Sequence, residues 1–328
     1  MLRLKRQSWD DFLQSDSHAL FGLESAECSW AIRVRYNSTI AHEQHASRVE
    51  SCCGGSLVSD SINPDSVIGR NQPDFISQKN ISTRERLIFA LDVPSAEDAM
   101  GMVNRLSNSV MFYKIGLELF MAGGYFELLR QLQDLGKKVF VDLKFFDVPQ
   151  TVGAAVSRLN RRGVSFCTVH GNENILAAAC DAKEDLKVLA VTVLTSLDES
   201  DLNDLGFQCN PKELVLSRAR RALEVGCDGV VSSGLEAPDL RQELGERFLV
   251  VTPGIRPVAN VDDQKRVVGV EQAFRNGADY IVVGRPIKNV PDPREAAERI
   301  QRTIATVFAR VTTAADSVNT NTSSEDND

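Results

Sequence analysis

No apolar run in this chain of 328 residues approaches the roughly 20 needed to span a bilayer, so no transmembrane helix is expected. Basic residues are outnumbered. Lys and Arg total 37 against 45 Asp and Glu, for a formal charge of −8. That balance argues against a broad basic surface for nucleic acid, while leaving room for a local phosphate pocket. The seven cysteines form no C-x-x-C pair, and with only four histidines no zinc constellation is visible. Cys52 and Cys53 are vicinal in a polar, Gly-rich setting, and Cys167, Cys180, Cys209 and Cys227 are scattered. Reduced thiols in a cytoplasmic protein are the expectation, not a disulfide framework.

What remains divides into three regions. Residues 1 to 83 lack sustained apolar periodicity and are rich in Ser, Asn, Gln and Asp, with turns at Ile62-Asn63-Pro64-Asp65 and Asn71-Gln72-Pro73-Asp74. The basic start, Met1 to Arg6, is followed at once by Asp10, Asp11 and Asp16, which disfavours a transit peptide. This segment reads as a disordered extension, and residues 312 to 328 as a disordered tail. Between them, residues 84 to 311 alternate short apolar runs with amphipathic ones. Strand candidates are Leu87–Leu91, Val110–Ile115, Lys138–Leu143, Val164–Val169, Lys187–Leu194, Gly229–Ser232, Phe248–Thr252 and Tyr280–Val283. Helix candidates include Ala96–Leu106, Tyr125–Leu135, Gln150–Arg161, Lys212–Val225 and Pro293–Phe308. Gly136, Gly163, Gly226 and Gly277 fall where helices should stop. Eight βα units in about 230 residues predict a single (β/α)₈ barrel, with a doubly wound open sheet as the alternative. The first loop, Asp92-Val93-Pro94-Ser95, has no G-x-G-x-x-G, so a dinucleotide site is disfavoured.

In such a barrel the chemistry collects at the C-terminal ends of the strands. The third strand ends in Asp142-Leu143-Lys144-Phe145-Phe146-Asp147, where Asp142 and Lys144, two apart, share a face. Asp92 ends the first strand and Lys114 lies in the second, within Tyr-Lys-Ile-Gly. His170, Thr195 and Ser196 end the fourth and fifth. Any one of these reads most plainly as a surface ion pair or a strand-end polar group. Two lysines and three aspartates converging on one rim point to an active site. The seventh and eighth strands end in Thr-Pro-Gly-Ile-Arg256-Pro, with Gln264 beyond, and in Gly284-Arg285-Pro. Gly284 allows close backbone approach to an anion and Arg285 offers a planar fork, so phosphate is expected there. Arg256 suits either phosphate binding or loop ordering. His170 reads as a hydrogen-bonding support, and Ser232 and Ser233 as caps of the helix after strand six.

In order and at compatible spacing, Leu-Asp92-Val, Tyr-Lys114-Ile-Gly, Asp142-Leu-Lys144-Phe-Phe-Asp147-Val-Pro, Val-Leu-Thr195-Ser, Thr-Pro-Gly-Ile-Arg256-Pro and Val-Gly284-Arg285-Pro-Ile together resemble the orotidine 5′-phosphate decarboxylase family, in its bacterial-type branch. The resemblance covers roughly residues 84 to 311. It implies conversion of orotidine 5′-phosphate to UMP and CO₂, with no metal and no organic cofactor. It further implies that Lys144 donates the proton to C6, that Asp142 faces the substrate carboxylate, and that Lys114 belongs to the charged network and contacts the ribose. Asp92, Thr151 and Thr195 would bind the nucleotide, and Arg256, Gln264, Gly284 and Arg285 its phosphate. Asp147 would reach into a neighbouring subunit's site, making the enzyme a homodimer with shared sites.

Two other readings stand beside this one. Metal-dependent sugar-phosphate aldolases and keto-acid decarboxylases of the same superfamily share the Asp-x-Lys-x-x-Asp pattern but hold Mg²⁺ partly through a Glu on the second strand. Here that position is Lys114, which repels a divalent cation. A phosphate-binding barrel without catalysis is the other, and the full set of charged residues argues against it. Fusion to orotate phosphoribosyltransferase is rejected, because the extension is too short for that partner.

Overall fold

Short runs of Val, Ile, Leu and Phe suit strands buried on both faces, and eight of them close into a parallel barrel. The computed structural model describes residues 74–256 and 268–321, with side chains as far as 309. The strands are β1 (Leu87–Ala90), β2 (Phe112–Gly116), β3 (Lys138–Phe145), β4 (Phe166–Val169), β5 (Lys187–Val191), β6 (Gly229–Val231), β7 (Leu249–Thr252) and β8 (Tyr280–Val283). They pair in chain order, and β8 returns to β1 through Leu87↔Ile281 and Ile88↔Val282. The closed barrel, not the open sheet, is the architecture.

Helices clothe the outside: α1 (Ala96–Leu106), α2 (Leu117–Ala122), α3 (Tyr125–Asp134), α4 (Pro149–Asn160), α5 (Glu173–Asp181), α6 (Glu199–Asp204), α7 (Pro211–Glu224), α8 (Ala237–Leu244), α9 (Val270–Arg275), α10 (Arg285–Lys288) and α11 (Pro293–Asn321). Their starts have local causes. Ser95 caps α1 by accepting from the Asp98 N–H, Asn210 caps α7 through the Glu213 N–H, and Asp198 with Asp201 forms a reciprocal capping box on α6. Proline occupies the first position of α4 and α7, where its missing N–H costs nothing. Gly136, Gly163, Gly226 and Gly277 all take positive φ, as expected of helix stops.

Period-two alternation divides each strand between two cores. Leu87, Phe89, Tyr113, Val139 and Val141 face outward under the helices, while Ile88, Phe112, Phe140, Phe166 and Tyr280 fill the barrel. Inside, Phe166 touches three other rings, at centroid distances of 4.9 Å to Phe112, 5.2 Å to Tyr280 and 5.9 Å to Phe140. This aromatic layer is a floor. Two residues further along the same inward faces come Lys114, Asp142 and Thr168.

Some boundaries differ from those expected. β5 stops at Val191, short of Leu194, where its partner β6 also ends, and Thr192 donates to the last β6 carbonyl, of Val231, through both its N–H at 3.4 Å and its hydroxyl at 2.9 Å. α11 runs to Asn321, ten residues past the expected end of the barrel at 311. Ser233 does not cap α8: its hydroxyl accepts from the Leu235 N–H, and Glu236 occupies the N-cap. Residues 1–73 of the expected extension, residues 322–328 of the tail and Gln264 lie outside the described residues.

Residues 74–83, grouped with the extension from sequence, are fastened to the barrel. The anchor is Asp279, fully buried just before β8. One carboxylate oxygen accepts from Ser77 Oγ and from Lys79 Nζ at 3.1 Å; the other accepts from Arg241 at 2.7 Å and the Val250 N–H at 2.9 Å. Arg241 is itself buried, so removing the acid strands a guanidinium without its counter-charge. Asp279→Ala is expected to cost about 3–5 kcal/mol, read as a lowered urea midpoint at unchanged slope.

Candidate active site

β3 carries the site because it breaks its own regularity. Pairing with β4 runs Phe140↔Phe166 and Val141↔Cys167, then shifts register before resuming at Phe145↔Val169. Within the break Lys144 has φ +49°, the left-handed region that non-glycine residues rarely adopt. Such a conformation costs on the order of 1–3 kcal/mol and persists only where its surroundings impose it. Here Thr168 on β4 imposes it. The Lys144 N–H donates to Thr168 Oγ1 at 2.9 Å, and the same hydroxyl donates to Asp142 Oδ1 at 2.9 Å. One side chain thus fixes both the backbone of the lysine and the carboxylate beside it.

The charges form a chain. Asp92 Oδ1 lies 3.2 Å from Lys114 Nζ, Lys114 Nζ lies 3.3 Å from Asp142 Oδ2, and Asp142 Oδ1 lies 2.9 Å from Lys144 Nζ. The inner pair is enclosed, with Lys114 and Asp142 side chains each 12% exposed, while Lys144 is 36% exposed at the open end. Burial alone would lower the Lys114 pKa, but Asp142 and Asp92 outweigh it and hold the ammonium above the ordinary lysine value. Burial alone would raise Asp142, yet Lys114 and Lys144 outweigh it and hold the carboxyl below the ordinary range. Both groups are therefore ionised in a nearly dry setting above the aromatic floor, where their fields act at low dielectric.

The remaining sequence-selected residues are placed as follows. Asp147 is exposed and accepts from the Val148 N–H at 2.6 Å, with no described contact to the charge chain. Thr151 is exposed in the first turn of α4, and Thr195 lies in the turn beyond β5. Arg256 and Arg285 line one cavity of about 950 Å³, together with Gly269 and Gln272. Gly284 stands directly before Arg285, as the N-cap of α10. Among the described residues, the Lys/Asp chain does not line that cavity, which runs along α9, α10 and α11. The half-buried His170 packs edge-on against Phe146 at 5.4 Å. Burial, with Arg218 and Lys144 nearby, lowers its imidazole pKa.

Two supporting residues were not singled out from sequence. Thr168 was hidden in an apolar strand, although its place two residues beyond Phe166 is a signal that period two supplies. Lys288 of α10 reaches across to the Asp92 carbonyl, a contact no local pattern announces.

Comparison with known proteins gives this geometry its context. Residues 85–300 match the model of the orotidine 5′-phosphate decarboxylase / HUMPS family. Orotidine 5′-phosphate decarboxylase of Methylococcus capsulatus is 64% identical over 239 residues, covering 72% of this chain and 99% of that protein. The enzyme of the same name from Stenotrophomonas maltophilia is 51% identical over 228 residues, covering 69% of this chain and 95% of its own. Among solved structures, orotidine 5′-phosphate decarboxylase from Lactobacillus acidophilus superposes with a TM-score of 0.60 at 35% identity, over 67% of this chain and 99% of that one. A conserved protein from Geobacillus kaustophilus, itself uncharacterized, superposes with a TM-score of 0.58 at 32% identity, over 66% and 99%.

The charge chain makes a testable pH statement. Asp142, whose folded pKa is depressed, contributes stability above its ordinary 3.8 and loses it as pH falls through the folded value. Lys114, whose folded pKa is raised, contributes below its ordinary 10.5 and loses it as pH rises through the folded value. Asp142 and Lys114 are thus expected to stay ionised between these limits. Carbon-13 NMR should find the Asp142 carboxyl titrating below 3.8, and moving upward in Lys114→Met. An Asp142 midpoint above 3.8 in the unsubstituted protein would contradict the electrostatic assignment.

Proposed function

The chain belongs to the orotidine 5′-phosphate decarboxylase / HUMPS family, and on that premise we propose that it is a carboxy-lyase converting orotidine 5′-phosphate to UMP and CO₂, the last step of de novo UMP biosynthesis. The family's description joins two names, so membership alone does not choose between a decarboxylase and its relatives. The observation that carries the choice is Lys114. Its ammonium lies between the carboxylates of Asp92 and Asp142, at 3.2 and 3.3 Å, where a divalent cation would need those oxygens for itself. The 64% identity to a decarboxylase over that protein's whole length supports the same choice.

The chemistry this site must perform is severe. Loss of CO₂ leaves a pair of electrons on C6 of the pyrimidine, with no adjacent carbonyl to accept them. Stabilisation must come from fixed charge, followed by a proton. Lys144, at the open end of the chain, stabilises the developing carbanion and then protonates C6. Asp142 faces the departing carboxylate and orients Lys144. The preorganised field of the four groups is the main contribution, with no rearrangement needed at the moment of reaction. Asp92 and Lys114 bind the ribose side, and Thr151 and Thr195 complete the nucleoside contacts. Gly284, Arg285, Arg256 and Gln264 take the phosphate. Binding energy at that distant group assists the chemical step by fixing C6 against Lys144.

The same reading makes the enzyme a homodimer with shared sites. Asp147 is exposed and flanked by Phe146 and Val148, themselves 69% and 61% exposed, which suits a carboxylate carried into a partner's site on an apolar rim. A cytoplasmic location accords with the free thiols of Cys167, Cys180, Cys209 and Cys227.

Turnover is expected without added metal and in excess EDTA, followed as the loss of orotidine 5′-phosphate absorbance. Abolition by the chelator would favour the metal-dependent reading. Lys144→Ala should lower turnover by at least about 10³-fold while retaining UMP affinity. Near-normal turnover in that variant would remove Lys144 from the role of proton donor. Sedimentation should give a dimer, and mixing inactive Asp147→Ala with inactive Lys144→Ala should restore part of the activity through hybrid sites.

A further inference from the structure

The face of the barrel opposite the charge chain holds a pair of thiols that the decarboxylation does not use. Cys180 sits in the last turn of α5, and Cys227 in the turn between α7 and β6. They are 47 residues apart in sequence, yet their sulfurs lie 3.5 Å apart and both are free. We propose that Cys180 and Cys227 are an oxidisable dithiol, closed to a disulfide by hydroperoxides and reopened by thiol reductants.

The surroundings pre-position the pair. Lys183, two residues past α5, donates to the Gly226 carbonyl at 2.6 Å and to Asp228 at 2.7 Å. That clamp holds the residues on either side of Cys227 against the end of α5. Asp228 is further fixed by the Val188 N–H at 2.8 Å. Gly226 turns the chain with φ +93°, and a Cβ there would come only within 4.0 Å of Cys180 Cβ, so the approach is uncrowded. Covalent closure needs the sulfurs to move from 3.5 Å to roughly 2.05 Å, within reach of side-chain rotation.

The two sulfurs have different characters. Cys180 is half-buried and the more exposed of the two; the contact with Cys227 and the Lys183 ammonium favour its thiolate, against burial and the nearby carboxylates of Asp228 and Asp181. Cys227 is buried, and the same contact together with burial keeps it a thiol. Cys180 is therefore the sulfur that meets the oxidant. Its thiolate attacks one peroxide oxygen, the O–O bond breaks, and the departing hydroxide takes a proton to become water. Cys180 is left as a sulfenic acid. Cys227 then attacks the Cys180 sulfur, forming the S–S bond and expelling the sulfenic oxygen, which leaves as a second water with the Cys227 proton. Two electrons pass from the thiols to the peroxide, and nothing else is consumed.

The bridge would tie α5 to the entry of β6 at the end of the barrel that carries stability, away from the reacting groups. Its formation is independent of the decarboxylase reading, and each can fail alone. The test uses the full-length chain, reduced, desalted, treated with hydrogen peroxide, alkylated with a maleimide and digested for mass spectrometry. A Cys180–Cys227 cross-linked peptide is expected, two hydrogens lighter than the sum of its halves and released by dithiothreitol. The oxidised protein should melt higher by on the order of 5 °C. Cys227→Ser should leave Cys180 trapped as its sulfenic or sulfinic acid, while unsubstituted protein accumulates neither. Peptide mapping of the unsubstituted chain decides the matter even where a variant folds poorly. Recovery of Cys180 fully alkylated under peroxide that oxidises Cys209, or its conversion to a sulfinic acid without cross-link, would overturn the proposal.

Discussion

A single carboxylate shared by two ammonium groups is the constraint from which the rest of this molecule follows. Asp142 is enclosed, and an isolated ionised acid in such a place would protonate. It stays charged because Lys114 and Lys144 flank it and Thr168 donates to it. Each of those partners makes a demand on the fold. Lys114 must come from the adjacent strand at matching height, which the parallel register provides by pairing Lys114 with Phe140 and Gly116 with Asp142. Thr168 must come from the strand on the other side. Lys144 must bring its ammonium back to its own neighbour two residues earlier, and it does so from a left-handed backbone at the break in β3. The irregularity in β3 is the backbone's answer, and its cost is offset by the hydrogen bonds that converge on Thr168.

The aromatic floor belongs to the same logic. Phe112, Phe140 and Phe166 sit two residues before Lys114, Asp142 and Thr168 on three successive strands. The barrel therefore changes from apolar to charged within one layer of side chains. Large rings below exclude water from beneath the ion pairs, and the ion pairs above give the rings a lid that water does not enter from the closed end. Neither layer is stable in this form without the other, because unsupported charges would hydrate and an uncovered ring stack would be exposed.

Much of this was legible in the sequence, for identifiable reasons. Strands buried on both faces leave unbroken apolar runs, so all eight were recognisable, and helix stops announced themselves through glycine. Asp142, Lys144 and Lys114 stood out because charges at strand ends are costly and need a purpose. What could not be read depends on contacts distant in sequence. The left-handed Lys144 is imposed by Thr168, twenty-four residues later. The early end of β5 goes with the end of its partner β6 at Val231. The attachment of residues 74–83 rests on Asp279, some two hundred residues away, and a Ser-Gln-Lys-Asn stretch carries no local mark of being tied down. Arg256 and Arg285 could be named from their loops, but only the closed barrel brings them to one cavity.

The chain of Asp92, Lys114, Asp142 and Lys144 contains two positive and two negative charges, so it is neutral as a unit. Neutrality has a consequence for how the site can change over evolutionary time. Any single substitution that deletes one charge leaves a net charge among poorly solvated neighbours, whereas removing an adjacent pair of opposite sign leaves none. The four positions should therefore be strongly epistatic, with paired replacements less damaging to folding than the sum of their singles. A lineage leaving this chemistry for a metal-dependent one would have to cross that barrier at Lys114, since exchanging it for an acid turns a neutral quartet into one bearing an excess of two negative charges. Such a quartet is held together only once a divalent cation arrives. The two chemistries are thus separated by an electrostatic ridge rather than by a gradual slope, although they share one barrel.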